Sequence, residues 1–314
     1  MNPDTEQVFG TLQTLLDPPL TFYLPYHEDG GSWVPYVWLA DRNGEFNPLN
    51  FCRDRGWLHL TDADRVINAW QEADRSRLTM YHSHVSKAIL AERNSTIAGW
   101  LQPLTSQLRA LEAYVVSPGF TGFQDYNSPD FSPSLMLGET PDGDWIGVGL
   151  SVYKPTEIPQ TMLFRSPRPA SEPISLAART IALQNQIQTM LEDVAAVDLY
   201  AELGGGYYYN HCHQFVQAAA PTQTLALEQL LQAVRVLEIH TFNHLSWDEE
   251  LRASCSDTDE LRDERLNQFL QQSLSQLTVV RYSFFTEENI YVVGRTQSED
   301  WVGIHLQSEY IYNP

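Results

Sequence analysis

One twelve-residue pattern occurs twice in this chain of 314 residues, and it limits the possible folds more than any other feature. Leu137-Gly138-Glu139-Thr140-Pro141-Asp142-Gly143-Asp144-Trp145-Ile146-Gly147-Val148 is followed 156 residues later by Val293-Gly294-Arg295-Thr296-Gln297-Ser298-Glu299-Asp300-Trp301-Val302-Gly303-Ile304. Gly, Thr, Asp, Trp and Gly recur in register, and apolar positions change only to other apolar residues. Self-similarity of this kind marks a duplicated folding unit. Three weaker pairs keep the same order. Trp100-Leu101-Gln102 with Ser106-Gln107-Leu108 answers to Phe269-Leu270-Gln271 with Ser275-Gln276-Leu277. Leu12 to Asp17 answers to Ile187 to Glu192, and Trp70-Gln71-Glu72 to Trp247-Asp248-Glu249.

The expectation is therefore a tandem duplication, with a first domain over 1–153, a linker over 154–173 and a second domain over 174–314. Prolines at 155, 159, 167, 169 and 173 make the linker extended and semi-rigid. The 269/100 pair is 169 apart rather than 156, which places an insertion of aromatic, Pro and Gly residues at about 118–133 in the first copy. In the second copy, 174–194 has helical apolar spacing, and 198–220 reads as a hairpin around Gly204-Gly205-Gly206. A helix follows Pro221-Thr222, then a strand at Leu237-Glu238-Ile239-His240. Asp257 to Leu277 reads as a helix whose buried stripe is Leu261, Leu266, Phe269, Leu270, Leu274 and Leu277. Three alternating strands close the chain. Helices that do not alternate strictly with strands indicate an α+β fold.

Composition narrows the function. Forty acidic against 19 basic residues give a formal net charge of −21, which excludes an ordinary phosphate-backbone binder and disfavours an anionic membrane surface. No segment has the apolar length of a membrane span, and the N-terminus lacks the layout of a secretory signal. Three scattered cysteines, Cys52, Cys212 and Cys255, argue for a reducing, cytoplasmic setting rather than a disulfide framework. The GxSxG, phosphate-loop, GxGxxG and HExxH patterns are missing, so the chain reads as non-catalytic and without a cofactor.

The strand pair Ile290 to Ile304, and its counterpart Leu135 to Gly147, resemble the C-terminal hairpin of the nuclease A inhibitor family, known mainly from cyanobacteria. Val236 to Phe242, Trp247-Asp248-Glu249-Glu250 and Asp263 to Tyr282 extend the resemblance upstream. It implies a three-layer αβα sandwich, here twice in tandem. It also implies a protein that binds and blocks a sugar-non-specific, metal-dependent nuclease. On that resemblance, Trp247, Asp248 and Glu249 are partner contacts, and Glu28 is the nearest candidate for the glutamate that approaches the nuclease metal.

The remaining candidates stand on residue chemistry. Phe120, Phe123, Tyr126 and Phe131 in the insertion either tuck onto their domain or form a recognition patch. His211 and His213, two apart on a strand, share a face and could supply two metal ligands, or could be ordinary sheet histidines. Asp142, Asp144, Glu299 and Asp300 fit turn chemistry, and Trp145 and Trp301 are either structural or interface anchors. Three functions compete. One is a bivalent scaffold or assembly factor, since two linked modules raise effective concentration. The others are a nuclease inhibitor and a metal-dependent hydrolase around His211 and His213.

Overall fold

The computed structural model describes residues 1–22, 31–80, 86–118, 133–153, 174–204, 207–245, 257–284 and 287–309. These form two compact units. The first contains 1–54 and 237–311; the second contains 55–156 and 172–236. Each unit takes elements from both sides of the 154–173 segment, and each is built on one six-stranded antiparallel sheet.

In the first unit the order of strands is β1-β2-β12-β11-β10-β9. The strands are β1 (Leu20–Phe22), β2 (Gly31–Trp38), β9 (Leu237–Thr241), β10 (Ser275–Ser283), β11 (Glu287–Arg295) and β12 (Trp301–Glu309). Helices α1 (Pro3–Leu15) and α9 (Asp257–Ser273) cover one face. Val8, Leu12 and Leu16 from the first, and Leu266, Leu270 and Leu274 from the second, pack on Val279, Ile290, Val292, Val302, Ile304 and Leu306. Full burial of one such aliphatic side chain contributes roughly 1.5–3 kcal/mol. Helix α9 differs from the sequence expectation in two ways: Leu261 is exposed at 48% while Asp263 is buried, and the helix ends at Ser273, so that Leu277 lies on β10. Short helices α2 (Ala40–Asn43) and α3 (Pro48–Asp54) follow β2, and Phe51 of α3 packs on Tyr282 and Tyr291 of the other face. With both faces covered, β11 is buried from Glu287 to Gly294.

The second unit repeats this plan with the order β3-β4-β5-β6-β8-β7. Its strands are β3 (Leu58–Thr61), β4 (Arg109–Val116), β5 (Ser134–Glu139), β6 (Trp145–Tyr153), β7 (Val197–Gly204) and β8 (Tyr207–Ala220). Helices α4 (Ala63–Met80), α5 (Lys87–Ala98), α6 (Leu101–Gln107) and α7 (Ala178–Glu192) bury Val66, Trp70, Ile97, Leu104, Leu183, Ile187 and Leu191 on one face. On the other, α8 (Gln223–Ala233), capped by the Thr222 side chain, lies on β5, β6 and β8.

The recurring twelve residues are the β5–β6 and β11–β12 hairpins. A Cβ at Gly138 would lie 2.7 Å from Leu108, and one at Gly294 would lie 2.8 Å from Leu274. The Thr140 and Thr296 amides donate to the Asp144 and Asp300 carbonyls. Gly143 and Glu299 both take left-handed φ, +92° and +71°. Only a residue without Cβ fits Gly303, where a Cβ would meet the Val292 carbonyl oxygen at 1.9 Å. Trp145 and Trp301 are half-buried, and Trp301 stacks on Phe46 at 4.7 Å. The bulges at the starts of β4 and β10 match Leu108 to Leu274 and Leu111 to Leu277. That correspondence is 166 residues, replacing the 169 read from Ser106-Gln107-Leu108, a register error of one helical turn.

The aspartate of the pattern does more than turn chemistry requires. Asp300 is 3% exposed. Its Oδ2 accepts from the Thr5 hydroxyl at 2.7 Å and from Asn2 Nδ2 at 3.4 Å, and its Oδ1 accepts from the Ala40 amide at 3.0 Å. Asp144 Oδ2 accepts from the amide of Ala177, the residue preceding α7, at 2.9 Å. Each carboxylate thus holds the N-terminus of a helix, where the macrodipole favours negative charge. Replacing Asp300 by Ala removes three contacts with a charged acceptor, while the Thr5 hydroxyl keeps Ser298 Oγ at 2.8 Å. Asp300→Ala is expected to lower stability by about 2–3 kcal/mol, read as a shift of the urea midpoint at unchanged slope.

Candidate functional site

The described residues concentrate buried charge at one end of the first unit's sheet. Strand alternation and register set Glu238 and His240 of β9, Arg281 and Ser283 of β10, and Glu288 of β11 on the face that α1 and α9 cover. Arg281 Nε donates to Glu288 Oε2 at 2.6 Å, and its Nη2 donates to the other oxygen of the same carboxylate. Arg281 Nη1 lies 3.7 Å from Glu238 Oε2. His240 Nε2 is 3.5 Å from that same oxygen. The Ser283 hydroxyl donates to Glu288 Oε1 at 3.2 Å. Arg281 is 5% exposed, Glu238 9%, Glu288 7% and His240 1%. A planar guanidinium is suited to this two-point grip of one carboxylate with a second alongside.

A second polar row occupies the opposite face of β11. Asn289 Nδ2 donates to Glu287 Oε1 at 2.5 Å, which leaves its Oδ1 to accept from His305 Nε2 at 3.0 Å. The His305 ring lies flat on Tyr291, with centroids 4.2 Å apart and planes 5° apart. Tyr291 in turn meets Tyr36 and Phe51 edge-on. Phe51 stacks on Tyr282, whose hydroxyl donates to the Pro48 carbonyl at 2.8 Å. Burial pushes the Tyr282 phenol well above its ordinary range and pushes the Cys52 thiol beside it up to about 12. Cys52 is therefore a packing residue rather than a nucleophile.

The second unit has no such charge at the matching positions. Register equates Arg281 with Val115, Glu238 with His59, His240 with Thr61, Tyr291 with Leu135 and His305 with Gly149. There α8 lies close, with Leu230 and Val234 against Gly147 and Gly149.

Of the residues expected from sequence to contact a partner, Glu28, Phe120, Phe123, Tyr126, Phe131, Trp247, Asp248 and Glu249 all lie outside the described residues. His211 is on β8, and its side chain also lies outside them. His213 is fully buried, opposite Val152 on β6 and Val197 on β7. No group of three or more His, Cys, Asp and Glu residues is placed to hold a metal ion among the described residues. No described helix is long and apolar enough to cross a membrane. The charged cluster around Arg281 was missed in the sequence reading. Its signal was present: Glu238 and His240 alternate with Leu237 and Ile239, and Arg281 interrupts an apolar strand.

A family model described as nuclease A inhibitor-like protein matches residues 209–308. The span covers less than a third of the chain. It runs from β8 through β12, so it contains both polar rows and the second copy of the twelve-residue pattern. No curated protein matches the chain.

Removing Arg281 takes the guanidinium away from two buried carboxylates, Glu238 and Glu288. Arg281→Met is expected to cost about 3–5 kcal/mol in urea denaturation. It should also restore part of that loss when combined with Glu238→Gln and Glu288→Gln. For Cys52, a disulfide-exchange reagent at pH 8 should leave the thiol unlabelled in native protein and label it in denaturant, read by peptide mass spectrometry.

Proposed function

We propose that this chain is a non-catalytic protein-binding module, built from two nuclease A inhibitor-like repeats, that acts as a bivalent scaffold or assembly factor for a larger complex. The match of residues 209–308 to the nuclease A inhibitor-like model carries the reading. The duplication is supported by two sheets of the same strand order, in which the matched hairpins occupy corresponding places. It is supported further by two aspartates doing the same work at corresponding turns. Divergence between the copies, with ion pairs buried in one sheet and Val115, His59 and Thr61 at the matching places in the other, favours two different binding tasks over one repeated task. Net charge of −21 suits a basic partner surface and speeds encounter with it.

The family description favours a second reading, direct inhibition of a metal-dependent nuclease, with Trp247, Asp248, Glu249 and Glu28 as contacts. His213, fully buried in the sheet, is not placed as a water-accessible metal ligand.

Both readings meet in one experiment. Affinity capture from native extract, with wild type and a variant lacking residues 119–132, is expected to retain a defined multi-subunit assembly on wild type and lose it with the deletion. The inhibitor reading predicts instead that equimolar chain suppresses a purified metal-dependent nuclease and that Trp247→Ala abolishes the suppression. Capture of nothing specific, with no inhibition, would overturn the binding-module assignment.

A further inference from the structure

We propose that the two repeats have exchanged their N-terminal arms within one chain, so that neither half of the sequence completes a sheet without the other. The first repeat contributes α1, β1, β2 and α3 to the first unit and then crosses into the second, where it supplies β3 to β6. The second repeat does the reverse: α7, β7, β8 and α8 belong to the second unit, and β9 to β12 to the first. The proposal rests on the duplication stated above and is independent of what the protein binds.

Three observations carry it. First, the joining strand pairs are long and in regular register. β2 pairs with β12 from Trp38↔Trp301 to Val34↔His305, and β6 pairs with β8 from Trp145↔Ala220 to Tyr153↔Cys212. Second, the clamps are reciprocal. Asp300 of the second repeat holds Asn2, Thr5 and Ala40 of the first, and Asp144 of the first repeat holds Ala177 of the second. Thr5 also approaches Thr296 at 3.4 Å, as Thr180 approaches Thr140 at 3.1 Å. Third, the crossings correspond. Only residues 55–57 separate α3 from β3, and only 234–236 separate α8 from β9. Gly56 and Arg235, one at each crossing, adopt the same left-handed φ, +66° and +65°. A non-glycine residue held there is unusual and marks a connection fixed by its surroundings. Short connections of this kind favour exchange over folding back.

The 209–308 match gives the exchange a consequence. A contiguous family-type segment is here divided at 236/237, with β8 and α8 in one unit and β9 to β12 in the other. The strand that lies against β12 is β2, from the opposite half of the sequence. The first unit's sheet therefore presents strands of both repeats.

The test uses the full chain with a protease site placed within residues 157–171. Ser151 faces Gln214 across β6 and β8. In an unexchanged arrangement Ser151 would instead face Ser32, because position 151 corresponds to 307 and the β2–β12 register carried on from Val34↔His305 sets 307 opposite 32. Directly opposed residues lie within the Cα separation a disulfide needs. Under mild oxidation of the monomer, S151C/Q214C should form a disulfide, and after cleavage the two halves should run as one band without reductant and two bands with it. The cleaved wild type should elute from gel filtration as one species of full mass. V34C/H305C should behave as S151C/Q214C does. A disulfide in S32C/S151C, failure of both exchanged pairs in protein with a native circular dichroism spectrum, or elution of separate half-mass fragments would overturn the exchange. None of these outcomes depends on partner capture, so loss of the binding-module reading would leave the result standing.

Discussion

The carboxylate of Asp300 ties three parts of the first unit together. Asp300 accepts hydrogen bonds from α1 and from the start of α2, while its own backbone carbonyl closes the β11–β12 turn through the Thr296 amide. A helix leaves several amide donors unsatisfied at its N-terminus, and a buried end needs an acceptor from elsewhere in the fold. Supplying that acceptor from a hairpin turn fixes the height and direction at which the helix meets the sheet. The stripe Val8, Leu12 and Leu16 then lands on β12 and its neighbours. The twelve-residue pattern therefore does two things at once: its glycines let the hairpin and an adjoining helix end approach closely, and its aspartate places a helix N-terminus.

The cluster around Arg281 is a different kind of constraint. Arg281, Glu238 and Glu288 share a site with little solvent, and one guanidinium serves two carboxyl groups. Such an arrangement contributes little net stability over an apolar replacement of the same shape, yet its loss by halves is costly. At the matching positions the second sheet has Val115, Thr61 and the exposed His59. The same strand order thus accommodates a buried guanidinium at one place and a partly buried valine at the other.

Much of this was legible in the residues. The hairpins, α7, α8, α9 and the three final strands follow from apolar spacing, and the duplicated pattern marks equivalent places in the two sheets. Two local errors have plain causes. Leu261 has the right helical spacing for burial, but Asp263 takes the inward place on α9 and Leu261 faces out. The 169-residue offset followed a chance Ser-Gln-Leu identity, whereas the bulges at Arg109 and Ser275 set the true correspondence. The aspartate's second role was hidden because its donors, Asn2, Thr5 and Ala40, are some 260 to 300 residues away in sequence. The candidate contacts from Glu28 to Glu249 came from composition and resemblance, and the described structure adds nothing to them.

What sequence could not show at all is which copy each strand joins. Alternation encodes which face of a strand is buried, and register depends on turns and bulges. Neither distinguishes β12 from β6 as the neighbour of β2, because the two hairpins offer nearly the same edge: Trp301, Val302 and Gly303 in one, Trp145, Ile146 and Gly147 in the other. When two edges are this alike, the choice falls to what surrounds them. Beside β6, α8 presents Leu230 and Val234 against Gly147 and Gly149. Beside β12, the shorter α3 presents Phe51 to Tyr36, Tyr282 and Tyr291, and His305 fills the place of the second glycine. Small residues under a long helix and rings under a short one are complementary solutions, and mixing them would leave either a void or an overlap. The differences between the two segments therefore specify the pairing that their likeness leaves ambiguous.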